Sequence, residues 1–150
     1  MKVTEMKHLY IYIGICAVVL ALSVLWACKS AKVIDYTKED YIRIGSGGGF
    51  VGRELFTNLY KDGTLINSAQ VKAKIKKTDA TQMFQNLSSL GLFDSEESNP
   101  GNIYKFIEIK IGDQVKRLVW DGSKQATEPN LNLFYSNMEH FIQKAFKETK

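Results

Sequence analysis

After residue 28 this 150-residue chain contains no cysteine; its two cysteines are Cys16 and Cys28. The region beyond has no disulfide, no thiol nucleophile and no thiolate metal site. Histidine is almost as scarce. His8 precedes an apolar run, which leaves His140 alone in the rest of the chain. Without a second histidine or a His-Glu-x-x-His pattern, the common zinc sites are excluded. A solitary His140 beside Glu139 reads as a surface residue of a helix, with general base as its functional counterpart. No serine stands in a nucleophile-elbow context. Asp94, Glu96 and Glu97 cluster in a turn-rich loop whose spacing matches no EF-hand, and such a loop reads as solvated. We therefore expect no enzyme and no cofactor.

Charge of one sign is also lacking. The chain carries 20 basic and 16 acidic residues, and setting aside Lys2, Lys7 and Glu5 leaves 18 and 15. Both signs are interspersed. The cluster of Lys72, Lys74, Lys76 and Lys77 reads as the wet face of a strand, or at most as a weak contact for an anionic polymer. A nucleic-acid partner needs a basic face with interleaved aromatics, and none is expected here.

What is present begins with one long apolar run. Residues 9–27 contain no charge and follow a short basic start, Lys2 and Lys7. Roughly 20 helical residues cross a bilayer, whereas a cleavable signal has about 7–15 apolar ones, so length places the run between the two. Its end, Leu25-Trp26-Ala27-Cys28, resembles the lipobox of bacterial lipoproteins, in which the signal is removed and the cysteine lipidated. Trp26 departs from that pattern, which favours a small second residue. The resemblance implies Cys28 as the lipid site; an uncleaved anchor helix over 9–27 is the alternative. Small lipoproteins of Bacteroidota look similar. Surface-exposed lipoproteins of that group carry acids just after the cysteine. Lys29-Ser30-Ala31-Lys32 has none, which favours the periplasmic side of the outer membrane and leaves the inner membrane open.

Residues 29–40 are polar and aperiodic, a tether. The rest, 41–150, suits one domain with one core. Residues 41–44 suggest a first strand. Residues 53–60 suggest a second, stopped by Asp62-Gly63, a hairpin signal. Val71, Ala73 and Ile75 alternate with lysines in a third. Thr78 or Asp79 is placed to cap a helix carrying Met83, Phe84, Leu87 and Leu90 on one face, and Gly91 to end it. Ile107, Ile109 and Ile111 alternate with Phe106, Glu108 and Lys110. Val115, Arg117 and Val119 alternate with Lys116, Leu118 and Trp120. A closing helix has Pro129 near its first turn and apolar residues at 131, 134, 135, 138, 141, 142 and 145. The order β-β-β-α-β-β-α predicts an α+β domain, an antiparallel sheet of about five strands with two helices on one face, preceded by an N-terminal apolar helix.

One motif stands apart: Ser46-Gly47-Gly48-Gly49-Phe50-Val51-Gly52. Gly47, Gly49 and Gly52 spell G-x-G-x-x-G, but a strand is expected after Gly52 where a dinucleotide fold needs a helix N-terminus. A kinase-type loop lacks its lysine strand and catalytic loop. Two readings remain. The glycines form a bulge at the sheet edge with Phe50 tucked into the core, or they form a finger that presents Phe50 to a partner. The stretch resembles the S-G-G-F-A-G signature of emfourin-type proteins, inhibitors of thermolysin-like metallopeptidases, with one extra glycine. That resemblance runs loosely over 41–142 and implies a glycine segment lying in a protease cleft, with Phe50 in an apolar subsite. The functional expectation is a membrane-anchored, non-enzymatic protein-binding lipoprotein of the cell envelope, an accessory subunit of an envelope complex. The alternative is an emfourin-like inhibitor using residues 46–52.

Overall fold

The computed structural model describes residues 39–50 and 52–148. The anchor over 1–28 with Cys28, most of the 29–40 tether, and Val51 lie outside the described residues. No helix among the described residues is long and apolar enough to cross a membrane.

The described residues are α+β, with seven strands and two helices. In chain order come β1 (Tyr41–Gly48), β2 (Leu55–Tyr60), β3 (Thr64–Asn67), β4 (Lys72–Lys74), α1 (Lys77–Ser89), β5 (Ser98–Asn99), β6 (Ile103–Ile111), β7 (Gln114–Asp121) and α2 (Pro129–Glu148). The sheet runs β4-β3-β2-β1-β6-β7-β5. Every pairing is antiparallel except β5 with β7.

The expected sheet of about five strands is thus corrected to seven. β3 was hidden because Thr-Leu-Ile-Asn shows little alternation. It ends where the Asn67 side-chain oxygen accepts hydrogen bonds from the Ala69 and Val71 amides, 3.0 and 2.9 Å, making an Asx turn through Gln70 at φ 60°. β5 is two residues held by β7 and has no pattern of its own. The capping expectation also fails. α1 starts at Lys77 with Lys76 as an N-cap lacking a side-chain bond, so Thr78 and Asp79 sit inside the first turn. There Asp79 complements the helix dipole instead of capping it. Gly91 does end the helix: at φ 69° its amide donates to Ser88 O, and Leu92 donates to Leu87 O.

Strand alternation divides the sheet cleanly. Ile42, Ile44, Leu59, Leu65, Ala73, Ile107, Ile109, Leu118 and Trp120 share one core with Met83, Phe84 and Leu87 of α1 and Leu131, Phe134, Tyr135 and Met138 of α2. Both helices therefore pack on one face. The opposite face carries Tyr41, Arg43, Phe56, Asn58, Phe106, Glu108 and Arg117 in register across four strands.

Candidate functional site

The glycine stretch is less of a loop than its composition suggests. Ser46, Gly47 and Gly48 belong to β1, paired with Lys105, Tyr104 and Ile103 of β6. Glycine disfavours a strand because it offers no side chain to pack. Here neighbouring rings supply the missing bulk. A Cβ at Gly45 would meet the Phe106 ring at 2.8 Å and the Leu55 carbonyl oxygen at 2.3 Å; at Gly47 it would meet the Tyr104 hydroxyl at 2.6 Å. The aromatic side chains of β6 lie across β1 in the space these glycines leave open. Phe106 is wholly buried by this arrangement although it stands on the helix-free face.

Gly48 then turns the chain. Its φ of 84° and a carbonyl 2.1 Å from where its Cβ would sit admit no other residue. Gly49, at φ 69°, donates its amide to Asn102 O at 2.8 Å and so pins the hairpin base to the residue just before β6. Beyond that pin Phe50 is completely exposed, and Gly52 has open space around it. Phe50 does not enter the core, so that half of the bulge reading is overturned. Ile103 and Leu55, opposite Gly48 and Ser46, are also more than half exposed, 57% and 66%. The motif is thus split: Ser46, Gly47 and Gly48 are sheet, while Gly49, Phe50 and Gly52 form the tip. A shallow groove of about 450 Å³ runs beside it on the helix face, with Ile44, Ser46, Leu55, Tyr135 and Ile142 in its walls. Tyr135 donates its hydroxyl to Gly45 O at 3.2 Å, fastening α2 to the glycine strand. Burial pushes the Tyr135 phenol up to about 12, with the nearby Glu139 charge adding to the effect.

The helix-free face holds a polar ladder that sequence reasoning missed. Arg43 stands opposite both Asn58 and Glu108, and Glu108 opposite Arg117. Glu108 takes Arg43 on one oxygen and Arg117 on the other, each at 2.9 Å, and the Tyr41 hydroxyl donates to it at 2.9 Å. Arg43 Nε donates to Asn58 at 2.7 Å. Arg117 and the Tyr104 hydroxyl share one oxygen of Glu54, at 2.5 and 2.7 Å. Burial alone would raise the Glu108 carboxyl; the hydrogen bonds from Tyr41 and Arg117 and the charges of both arginines outweigh it and hold the group below the usual glutamate range. The guanidinium of Arg117 lies 3.9 Å from the Phe106 ring centre and that of Arg43 4.4 Å from Phe56. Two arginines therefore roof two phenylalanines on the face that neither described helix covers. Only the register reveals this, because the four charged residues are scattered over residues 43–117.

These groups satisfy one another's charges and hydrogen bonds. His140 is exposed on α2, its ring against Phe141. Glu97 accepts the Thr127 amide and hydroxyl, so the acidic loop closes onto the segment before α2. Among the described residues no group of three or more His, Cys, Asp or Glu could hold a metal ion. No protein-family model matches this sequence, and no curated protein matches it either.

Proposed function

We propose that this chain is a membrane-tethered, non-enzymatic protein-binding domain of the bacterial cell envelope, an accessory subunit of a larger envelope assembly. Its anchor is a lipid on Cys28, which favours the periplasmic side of the outer membrane, or an uncleaved helix over 9–27, which would hold it in the inner membrane. The observation that carries the binding role is Phe50. Its aromatic ring is fully exposed one residue beyond the Gly49–Asn102 bond that pins the base of the hairpin. Exposed Ile103 and Leu55 extend the apolar surface behind it. Buried aromatic anchors dominate protein interfaces, and Phe50 has the shape of one.

The same residue favours a second reading, an emfourin-like inhibitor of a thermolysin-type metallopeptidase. In that case Phe50 fills an apolar subsite from beyond the paired strand, because the backbones of Gly47 and Gly48 are already paired with β6.

The test is a mild-detergent pull-down from native membranes with wild type and Phe50→Ala side by side, read by mass spectrometry. A stoichiometric membrane protein retained by wild type and lost with Phe50→Ala is the expected result. A partner that survives the substitution would move the binding site off the hairpin. A zinc peptidase lost with Phe50, and inhibited by the purified chain, would select the second reading.

A further inference from the structure

Along the outer side of β7 the backbone is only half used. β5 pairs with Val119 and Trp120 alone, and no described strand accompanies residues 114–118 on that side. The outward groups follow from the β6–β7 hairpin. Its two-residue turn, Gly112-Asp113, is closed by the pair Ile111↔Gln114. The closing pair of such a hairpin exchanges both hydrogen bonds, and bonded and non-bonded pairs alternate from there. Ile109↔Lys116 and Ile107↔Leu118 are then bonded pairs. Val115, Arg117 and Val119 aim their N–H and C=O groups away from β6. The Val119 amide, donating to Glu97 O at 3.0 Å, has that outward direction. Val115 and Arg117 have no such backbone partner among the described residues.

We propose that this edge takes an extended segment of a partner protein as an added antiparallel strand, with apolar residues opposite Val115 and Arg117 and a carboxylate opposite Lys116. Backbone bonds to the outward groups supply affinity, and side chains at alternate positions supply selectivity. Val115 is 58% exposed and offers an apolar contact. The cations nearby differ in one respect. Arg117 is committed to Glu108 and Glu54, and Lys110 is near Glu39, whereas Lys116 forms no ion pair among the described residues. An acid directly across from it completes the charge pattern. A second copy of this chain pairing about Lys116 would set two lysines face to face, a destabilising arrangement. The edge involves neither Phe50 nor residues 46–52, so it stands apart from the hairpin site.

The probe is the peptide acetyl-Thr-Val-Glu-Val-Thr-amide, titrated to millimolar concentration into the full chain in detergent micelles and followed by backbone amide NMR. Saturable shifts and new exchange protection at Val115 and Arg117 are expected, while the Lys116 and Leu118 amides are protected from the outset. The same peptide with lysine in place of glutamate should bind about two- to fivefold more weakly, and Lys116→Glu should reverse that preference. Val115→Pro removes an N–H that points away from β6, a place where a strand tolerates proline, and should abolish binding. Phe50→Ala should bind like wild type. The proposal is overturned by equal binding of a peptide N-methylated at both valines. Unshifted Val115 and Arg117 at millimolar peptide would overturn it too, with Lys116 then serving only to guard the edge. A dimer in sedimentation that is lost in Val115→Pro would give the edge to a second copy, against the proposal.

Discussion

Replacing Gly45 by alanine tests the packing that makes the glycine strand possible. The new methyl would lie 2.3 Å from the Leu55 carbonyl oxygen, 2.8 Å from the Phe106 ring and 2.9 Å from the Phe56 Cβ. Ordinary contact needs at least 3.4 Å, so the β1–β2 spacing must open by about 1 Å or β1 must tilt. Overfilling a packed site costs about 1–3 kcal/mol. Moving the Gly45 carbonyl also weakens the Tyr135 hydrogen bond, about 1 kcal/mol. Against this, alanine restricts the unfolded chain and returns about 0.4–1 kcal/mol. The net expectation is a loss of about 2–3 kcal/mol, or roughly 10–20 °C in Tm for a domain of about 110 residues. The assay is urea unfolding of the full chain followed by Trp120 fluorescence in a Trp26→Phe background. Trp120 packs edge-on against Tyr135 at 5.3 Å and so reports on this layer. Gly47→Ala is the control. Its methyl would meet the Tyr104 hydroxyl and Glu54 Cγ, ends of side chains that can swing aside, so the loss should stay below about 1 kcal/mol. If the two variants prove equally mild, the rings do not lie across β1 as described and the explanation of the glycines is wrong.

Three shorter expectations accompany it. Glu108→Gln takes away the carboxylate between Arg43 and Arg117 and leaves Glu54 as the counter-charge of Arg117 alone; both arginines are about a quarter to a third exposed, so water screens the effect and the loss should be about 2 kcal/mol, below the 3–5 of a fully buried pair. In wild type the same carboxyl is held below its unfolded value, so its contribution is complete above the ordinary glutamate range and fades as pH falls through the folded value; an acid titration of stability should lose this component in Glu108→Gln. Tyr135→Phe should cost about 1 kcal/mol, and since its phenol titrates near 12 when folded and near 10 when unfolded, the wild-type contribution is intact below pH 10 and vanishes between there and 12, which ultraviolet titration of the phenolate can follow. Phe50→Ala should leave the urea midpoint unchanged, because a fully exposed ring contributes no burial; a shift of several degrees in Tm would mean that Phe50 packs in solution.

Among the described residues both helices lie on one face of the sheet, and the opposite face covers its own apolar side chains. Phe56 and Phe106 would otherwise be a bare apolar patch. Cation–π contact with Arg43 and Arg117 covers them, and Glu108 and Glu54 hold the guanidinium groups in place. The face is consequently closed to itself, and the free chemistry of the domain lies at its margins, the Phe50 tip and the β7 edge.

Periodicity alone was enough for the α+β class, the two amphipathic helices and the alternation of β6 and β7, because burying one side of an element imprints a period of two or about 3.6 on its residues. Turn chemistry was equally legible at Asp62-Gly63 and Gly91, where the backbone geometry itself demands those residues. The rest depended on which strands became neighbours. Thr64–Asn67 and Ser98–Asn99 are strands because β2, β4 and β7 supply their hydrogen bonds, not because of their own composition. Gly45 and Gly47 read as loop until Phe106 and Tyr104 are laid across them. The Arg43–Glu108–Arg117 ladder joins residues far apart in the chain that only the sheet register sets side by side. Local pattern records what each segment must bury. Pairing, register and the space one strand leaves for its neighbour's side chains are properties of the assembled sheet.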